Sequence, residues 1–344
     1  MPKTVFTSLA DVSRLIVHRG LPAVLKEVED RIRQDFLHWG EFQKTPRIAF
    51  HHCQGVVELM PVSDSSRFAF KYVNGHPYNP SIGLPTVMAF GLLSEMTTGT
   101  PLLLSEMSLL TAIRTAATSV LAARLLARDD SKSMAIIGNG AQSEFQALAF
   151  FYGLGINTFR LYDIDPLATD KLIHNLRQTK LPLTLIPCSS SFDAVDHADI
   201  ITTITADKAQ NTIIENNWVA PGTHLNAVGG DCPGKTELDR SLVLRSTILC
   251  EFEPQSRIEG ELQQVPPHIK PYELPYALAR HGKLRSNNSE VTLFDSVGFA
   301  LEDFSILQWL HAQLEYHPLL GTPLDLVAQP SDPKNLWHFS FNTP

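Results

Sequence analysis

Six residues, Gly138-Asn139-Gly140-Ala141-Gln142-Ser143, put small side chains where the apolar segment Met134 to Ile137 runs into a helix. At such a junction one glycine permits a tight turn and a second lets backbone amides approach a pyrophosphate, which the positive helix end also attracts. Ser143 stands in the third glycine's place and is small enough for close helix packing. Twenty residues on, Asp163 follows the apolar run Phe159 to Tyr162. A carboxylate there accepts hydrogen bonds from the adenosine ribose hydroxyls and repels a 2′-phosphate. The next residue is Ile164 and not an arginine, so the spacing favours NAD over NADP. Asp163 and Asp165 also precede Pro166 as a helix N-cap would, and the two uses can coexist with Asp165 as the cap.

A second polar, glycine-rich stretch runs from Asn226 to Leu238 and leaves a late strand at the carboxyl end of the expected sheet, where ligands sit. Gly229 and Gly230 free its backbone, Asp231 offers a carboxylate, and Lys235 lies four residues on. On residue type alone Asp231 is more often a loop-capping aspartate than a catalytic one. The 13 histidines form no metal-ligand cluster; His51-His52 reads as a strand end and His76 as a turn residue. No metal is expected.

The elements that must position these groups fall into two patterns. Leu25, Val28, Ile32 and Phe36 recur at helical spacing within Pro22 to His38. Short β-rich segments follow at Arg47 to Phe50, Val56 to Met60, Arg67 to Val73 and Thr86 to Leu93, with a hairpin turn at Thr97-Thr98-Gly99. This first third reads as α+β with antiparallel strands. A long helix is expected from Leu109 to Ala127. Strands and helices then alternate: strands at Met134 to Ile137, Thr158 to Tyr162, Thr184 to Ile186, Ile200 to Thr203, His224 to Val228, Thr247 to Glu251 and Thr292 to Asp295. That order implies right-handed βαβ crossovers and a parallel sheet. From about Asp303 a helix and a Pro-rich tail are expected.

The 344 residues allow two domains. With 44% hydrophobic and 19% charged residues the chain is an ordinary globular protein, not a disordered or coiled-coil one. A net charge of −8 disfavours nucleic acid. Cys53, Cys188, Cys232 and Cys250 lie too far apart for a zinc motif or a disulfide framework, which points to a reducing cytoplasm. No signal-type or membrane-spanning apolar run is expected.

Six segments carry a family resemblance: Lys71 to Pro77, Leu104 to Thr118, Met134 to Phe145, Asn226 to Leu238, Glu253 to Glu261 and Leu293 to Phe299. In them the chain resembles the ornithine cyclodeaminase and mu-crystallin family. The run Asp231 to Leu238 is the most specific, because the alanine dehydrogenase and ketimine reductase branches differ there. The resemblance implies an α/β fold: a Rossmann NAD-binding domain at residues 129–304 plus an α+β substrate-binding and dimerisation domain formed by residues 1–128 and 305–344. It implies Arg47, Lys71 and Arg114 as basic groups on the substrate carboxylate, with Val297 and Glu58 beside the substrate. Around NAD it places Thr86, Arg114, Gly138, Gly140, Ala141, Gln142, Asp163, Thr203 or Thr205, Val228, Gly229, Gly230, Asp231, Lys235 and Ser296. Asp231 matches the catalytic acid/base.

The activity so implied converts L-ornithine to L-proline and ammonia, with NAD returning the hydride it takes, in a cytoplasmic homodimer without nucleic-acid or membrane partners. Lysine cyclodeamination, alanine dehydrogenation, cyclic-ketimine reduction and non-catalytic ligand binding are the alternatives on the same fold. Ornithine and lysine differ by one methylene, worth only about 1–3 kcal/mol of discrimination.

Overall fold

The computed structural model describes residues 3–206, 211–280, 282–317 and 319–340. Strand β1 (Thr4–Thr7) leads into helices α1 (Leu9–Arg19) and α2 (Leu21–Leu37). Pro22 sits in the first turn of α2, where its missing N–H costs nothing. Val24, Leu25, Val28, Ile32 and Phe36 form the buried stripe of α2, which packs on two later helices, α3 (Ser108–Leu126) and α10 (Ala300–Tyr316). Strands β2 (Gln43–Lys44), β3 (Ile48–His52), β4 (Gly55–Ser63), β5 (Arg67–Gly75), β6 (Ala89–Glu95) and β7 (Pro101–Glu106) follow. Helix α3 (Ser108–Leu126) then leads to the second sheet.

That sheet holds β8 (Ser133–Ile137), β9 (Thr158–Tyr162), β10 (Thr184–Pro187), β11 (Ile200–Thr203), β12 (His224–Ala227), β13 (Thr247–Cys250), β14 (Tyr272–Glu273) and β15 (Thr292–Asp295). Between them run α4 (Ser143–Leu154), α5 (Pro166–Gln178), α6 (Ser191–Val195), α7 (Arg240–Arg245), α8 (Glu253–Glu259) and α9 (Leu274–Ala279). Its order is β10-β9-β8-β11-β12-β15-β13-β14, with every pairing parallel. The chain leaves β8 toward β9 on one side and returns as β11 on the other. This reversal opens a crevice at the carboxyl ends of β8 and β11, the place where a doubly wound sheet takes a ligand.

With the late strand β16 (Thr322–Leu324) at its edge, the first sheet runs β16-β1-β7-β6-β5-β4-β2, with β3 paired to β4. It is closed by α10 (Ala300–Tyr316) and β16 (Thr322–Leu324), which return to it after the second sheet. The expected antiparallel pattern holds from β2 to β7, but β1 is parallel to β7 because two helices separate them in sequence. Thr7 Oγ1 donates to Ser105 Oγ across that pair at 2.7 Å. Two further departures concern element ends. The strand expected from Thr86 begins at Ala89, since Asn74 Oδ1 takes the Met88 N–H at 2.5 Å in place of a carbonyl in the ladder. The expected boundary at 304/305 falls inside α10, which starts at Ala300.

Helix α10 covers one face of this sheet, touching β4, β5, β6 and β7. The other face shows alternate apolar residues, with Ile48, Phe50, Leu59 and Phe90 exposed. Tyr72 and Phe90 stack there at 5.0 Å between ring centroids. Helix α3 lies at the centre, against α2, α4, α10, β12 and β15. By length and composition it is apolar enough to cross a membrane, contrary to the sequence expectation. Most of it is buried in the protein's own core, which explains its all-round apolar surface.

Candidate active site

The end of β8 builds the crevice. Gly138 has φ +94°, and a Cβ there would come within 2.8 Å of Ile204 O at the end of β11. Only glycine fits both demands. Its N–H donates to Tyr162 O at 3.0 Å, and the Asn139 N–H donates to Asp163 Oδ2 at 2.6 Å, so Asp163 orders the turn from the neighbouring strand. Asp165 is the N-cap of α5, accepting from the Leu167 N–H at 3.0 Å, as its position anticipated. Ser143 is buried in place of the third glycine, and its hydroxyl donates to Gly140 O at 2.7 Å. Gly140 has open space where a Cβ would point, and with Ala141 it lines an open cleft on the loop's flank.

Among the described residues, Asn139 Oδ1 and Gln142 Oε1 are buried at the crevice without a hydrogen bond, while the Thr203 hydroxyl lies against the Glu237 carboxylate. Thr205 meets the same carboxylate, giving both its hydroxyl and its N–H to Glu237 Oε1. The open glycine loop, the unclaimed polar atoms and the Asp163 carboxylate suit a dinucleotide.

The loop after β12 closes the other side. The Val228 N–H donates to Thr203 O at 2.9 Å. Gly229 has the Glu237 carboxylate against it, whereas a Cβ on Gly230 would make only ordinary contacts, at 3.7 Å or more. Lys235 is buried; its Nζ donates to Thr205 O at 2.8 Å and lies 3.4 Å from Asp231 Oδ1. Burial alone would lower its pKa, but the Asp231 and Glu237 carboxylates outweigh it and leave it raised. Lys235 therefore holds the loop to the end of β11 and neutralises Asp231, whose own side chain is half exposed.

Between the two sheets lies a pocket that gathers nine of the sequence-derived residues: Arg47, Glu58, Lys71, Arg114, Gln142, Val228, Asp231, Ser296 and Val297. Thr86 is not among them; its carbonyl takes the His76 N–H at 2.9 Å, beside Val87, which does line the pocket. Gly138, Gly140, Ala141, Asp163, Thr203, Gly229, Gly230 and Lys235 belong to the crevice and its loops instead.

Each cation of the pocket is already matched. Arg47 Nη1 donates to Glu58 Oε2 at 3.0 Å, its Nε lies 2.9 Å from Glu259 Oε2, and its Nη2 donates to the carbonyls of Val297 and Gly298. Burial opposes the charge on Arg47, but Glu58 and Glu259 outweigh it and raise its pKa. Lys71 Nζ donates to Asp303 Oδ1 at 2.8 Å and Arg114 Nε to the same oxygen at 3.1 Å, while Arg114 Nη1 donates to Glu302 Oε2 at 2.5 Å. Burial, helped by the neighbouring Arg114 charge, lowers the Lys71 pKa to about 8 despite Asp303. Ser296 Oγ donates to the buried Glu251 at 2.9 Å. Glu58 Oε1 is buried without a partner and faces a pocket otherwise rich in donors.

Glu259, Glu302 and Asp303 escaped the sequence reading as site residues. Glu259 lies in the Glu253 to Glu261 segment quoted for its resemblance, and the adjacent acids Glu302-Asp303 at the head of an apolar helix were the available signal.

The sequence model of the ornithine cyclodeaminase/mu-crystallin family matches residues 6–317. An ornithine cyclodeaminase from Agrobacterium fabrum is 51% identical over 332 residues, covering 96% of this chain and 93% of that protein. Among solved structures, a lysine cyclodeaminase studied for recognition of L-lysine, L-ornithine and L-2,4-diaminobutyric acid superimposes with a TM-score of 0.89 at 28% identity, over 96% of this chain and 97% of that one. An archaeal alanine dehydrogenase dimer with bound NAD superimposes with a TM-score of 0.84 at 27% identity, over 94% and 100%.

Proposed function

The chain belongs to the ornithine cyclodeaminase/mu-crystallin family, and from that premise we propose that it converts L-ornithine to L-proline and ammonia with NAD as an internally recycled cofactor. It is an ammonia-lyase. The observation that carries this reading is the 51% identity to an ornithine cyclodeaminase over 96% of the chain, against 28% to a lysine cyclodeaminase and 27% to an alanine dehydrogenase of the same fold.

NAD supplies one chemistry when bound: it accepts hydride from Cα and gives it back to the cyclised product. Gly138, Gly140, Ala141 and Gln142 would cradle it at the end of β8, with Asp163 on the ribose and Thr203, Val228, Gly229, Gly230 and Ser296 along its other flank. The residues of the pocket do the remaining work. Arg114 and Lys71 each keep N–H groups beyond those given to Asp303 and Glu302, and these fix the α-carboxylate, with Arg47 behind them. That fixes Cα toward the crevice. Asp231 accepts a proton from the α-amine as the C=N bond forms. The neutral δ-amine then adds to that carbon; the original nitrogen takes back the proton held by Asp231 and a second proton from the added δ-nitrogen, and its C–N bond breaks to release ammonia as the ring C=N bond forms. Removal of water from the pocket protects the imine from hydrolysis to a keto acid.

The reading extends to a homodimer through the exposed apolar face of the first sheet, as supported by its alternating Ile48, Phe50, Leu59 and Phe90 and by the dimeric archaeal relative. The first sheet with α10 would then serve substrate binding and dimerisation, and the second sheet the cofactor. A cytoplasmic place and a role in proline formation complete it; Cys53, Cys188, Cys232 and Cys250 are all unbridged.

The test is incubation with excess L-ornithine and substoichiometric NAD. Proline and ammonia in equal amounts, far above the NAD supplied and without net NADH, are expected. NADH accumulating with a keto or imino acid would mean an ordinary dehydrogenase, and L-lysine or L-alanine turning over in place of ornithine would reassign the substrate.

A further inference from the structure

We propose that Asp303, on α10, is a positioning residue of the amino-acid carboxylate clamp: one of its oxygens holds Lys71 and Arg114 together and keeps the Lys71 head an ammonium. The inference rests on the reading of the pocket given above and adds a residue to it. Lys71 arrives on β5 and Arg114 on α3, elements that place them independently, and Asp303 Oδ1 accepts from both, at 2.8 and 3.1 Å. Asp303 Oδ2 is buried without a hydrogen bond, so the carboxylate serves these cations and caps no backbone with that oxygen. It lies in the first turn of α10.

The need for it follows from what surrounds Lys71. Its Nζ is enclosed, with the side chain 1% exposed, and the charges near it are Arg114 from α3, Arg47 ahead of β3, Glu58 on β4, and Glu302 and Asp303 on α10; its partner across β6 is Gly91, which brings none. Glu58 is taken by Arg47 and Glu302 by Arg114. Among the described charged groups, Asp303 is the one that pairs with Lys71. Burial and the two arginines pull the ammonium toward its neutral form, so that it titrates near pH 8 even with Asp303 present. A neutral amine forms no ion pair with a substrate carboxylate, and Arg114 without its Nε anchor is held by Glu302 alone.

The probe is L-proline, whose amine titrates well above this range, bound to the NADH-loaded protein and followed by calorimetry from pH 6 to 9. The wild type should bind with a Kd that is flat at low pH and rises as pH passes about 8. Asp303→Asn should weaken binding at least tenfold at pH 7 and move that rise downward by a pH unit or more, with NADH affinity unchanged. Asp303→Glu keeps the charge and tests the case in which the amide variant does not fold: it should bind proline more weakly than wild type while its rise stays near pH 8. A wild-type profile in Asp303→Asn, a rise displaced downward in Asp303→Glu, or loss of NADH binding in step with proline overturns the proposal. If the wild type itself neither binds nor forms proline, the function proposed above falls, and this inference with it; active wild type with unaffected variants refutes Asp303 alone.

Discussion

The Glu237 carboxylate stands where a side chain on Gly229 would have to go: an ideal Cβ there lies 2.2 Å from both carboxylate oxygens. Glu237 cannot yield, because Thr205 donates to it through N–H and hydroxyl and its own N–H is given to Glu261 Oε1 at 2.7 Å. The backbone two residues before Asp231 is thereby fixed. Gly229→Ala is expected to lose about 1–3 kcal/mol of stability through overpacking and to displace the Asp231 loop, with turnover falling at least tenfold. Thermal melts of Gly229→Ala and Gly230→Ala check the cause, since Gly230 has only ordinary contacts to make. Equal losses in the two would remove Glu237 as the reason.

Asp231→Asn should abolish proline formation, by about 10² to 10⁴ in kcat, while NAD binds as before. Among the described residues the half-exposed carboxylate forms one ion pair, to Lys235, and that lysine keeps its bond to Thr205 O in the variant. Kinetics with L-ornithine beside a fluorescence titration of NADH separate the two effects. Retention of most of the activity would move the acid/base role elsewhere.

Asp163 accepts the Asn139 N–H at 2.6 Å and the Asp165 N–H at 2.9 Å, leaving little capacity for more than the ribose. Asp163→Ala therefore loosens the glycine turn as well as the ribose contact. A charge-assisted hydrogen bond is worth about 1.5–3 kcal/mol, so the Kd for NAD should rise by at least tenfold. NADP, no longer repelled, should lose much less. Parallel titrations with the two dinucleotides decide it, and an equal loss for both would leave Asp163 a purely structural group.

The crevice could be read from sequence because its demands are local: a strand, a turn that only Gly138 can make, and an acid at the end of the next strand. The long helix and the parallel order were legible for the same reason, their periodicity being intact. The ion pairs of the pocket were not. Arg47 meets Glu259 from more than two hundred residues away, and Lys71 meets Asp303 from farther still, so no spacing rule links them. The bonds of the Lys235 ammonium to Thr205 O and Asp231 have no sequence signal beyond the four-residue step to Asp231. Strands β1 and β16 are short, and only tertiary pairing makes them strands.

Acid stability offers a test independent of turnover. His224, on β12, is fully buried; Thr292 Oγ1 lies 3.1 Å from its Nδ1, and its Nε2 has no hydrogen-bond partner among the described residues. Burial, with Arg285 and Lys283 nearby, pushes its pKa down to about 3. In the unfolded chain it titrates near 6.5, so between those values the unfolded state binds a proton that the native state refuses. Stability contributed by the neutral ring is therefore complete above pH 6.5 and is lost as pH falls toward 3, at up to about 1.4 kcal/mol per pH unit. His224→Phe keeps a buried ring and removes the proton, and Thr292 Oγ1 retains its bond to Leu126 O. Urea unfolding of the variant between pH 6 and 4.5 should show a slope shallower than wild type by as much as one proton. A variant as acid-sensitive as the native chain would assign the acid lability to other groups.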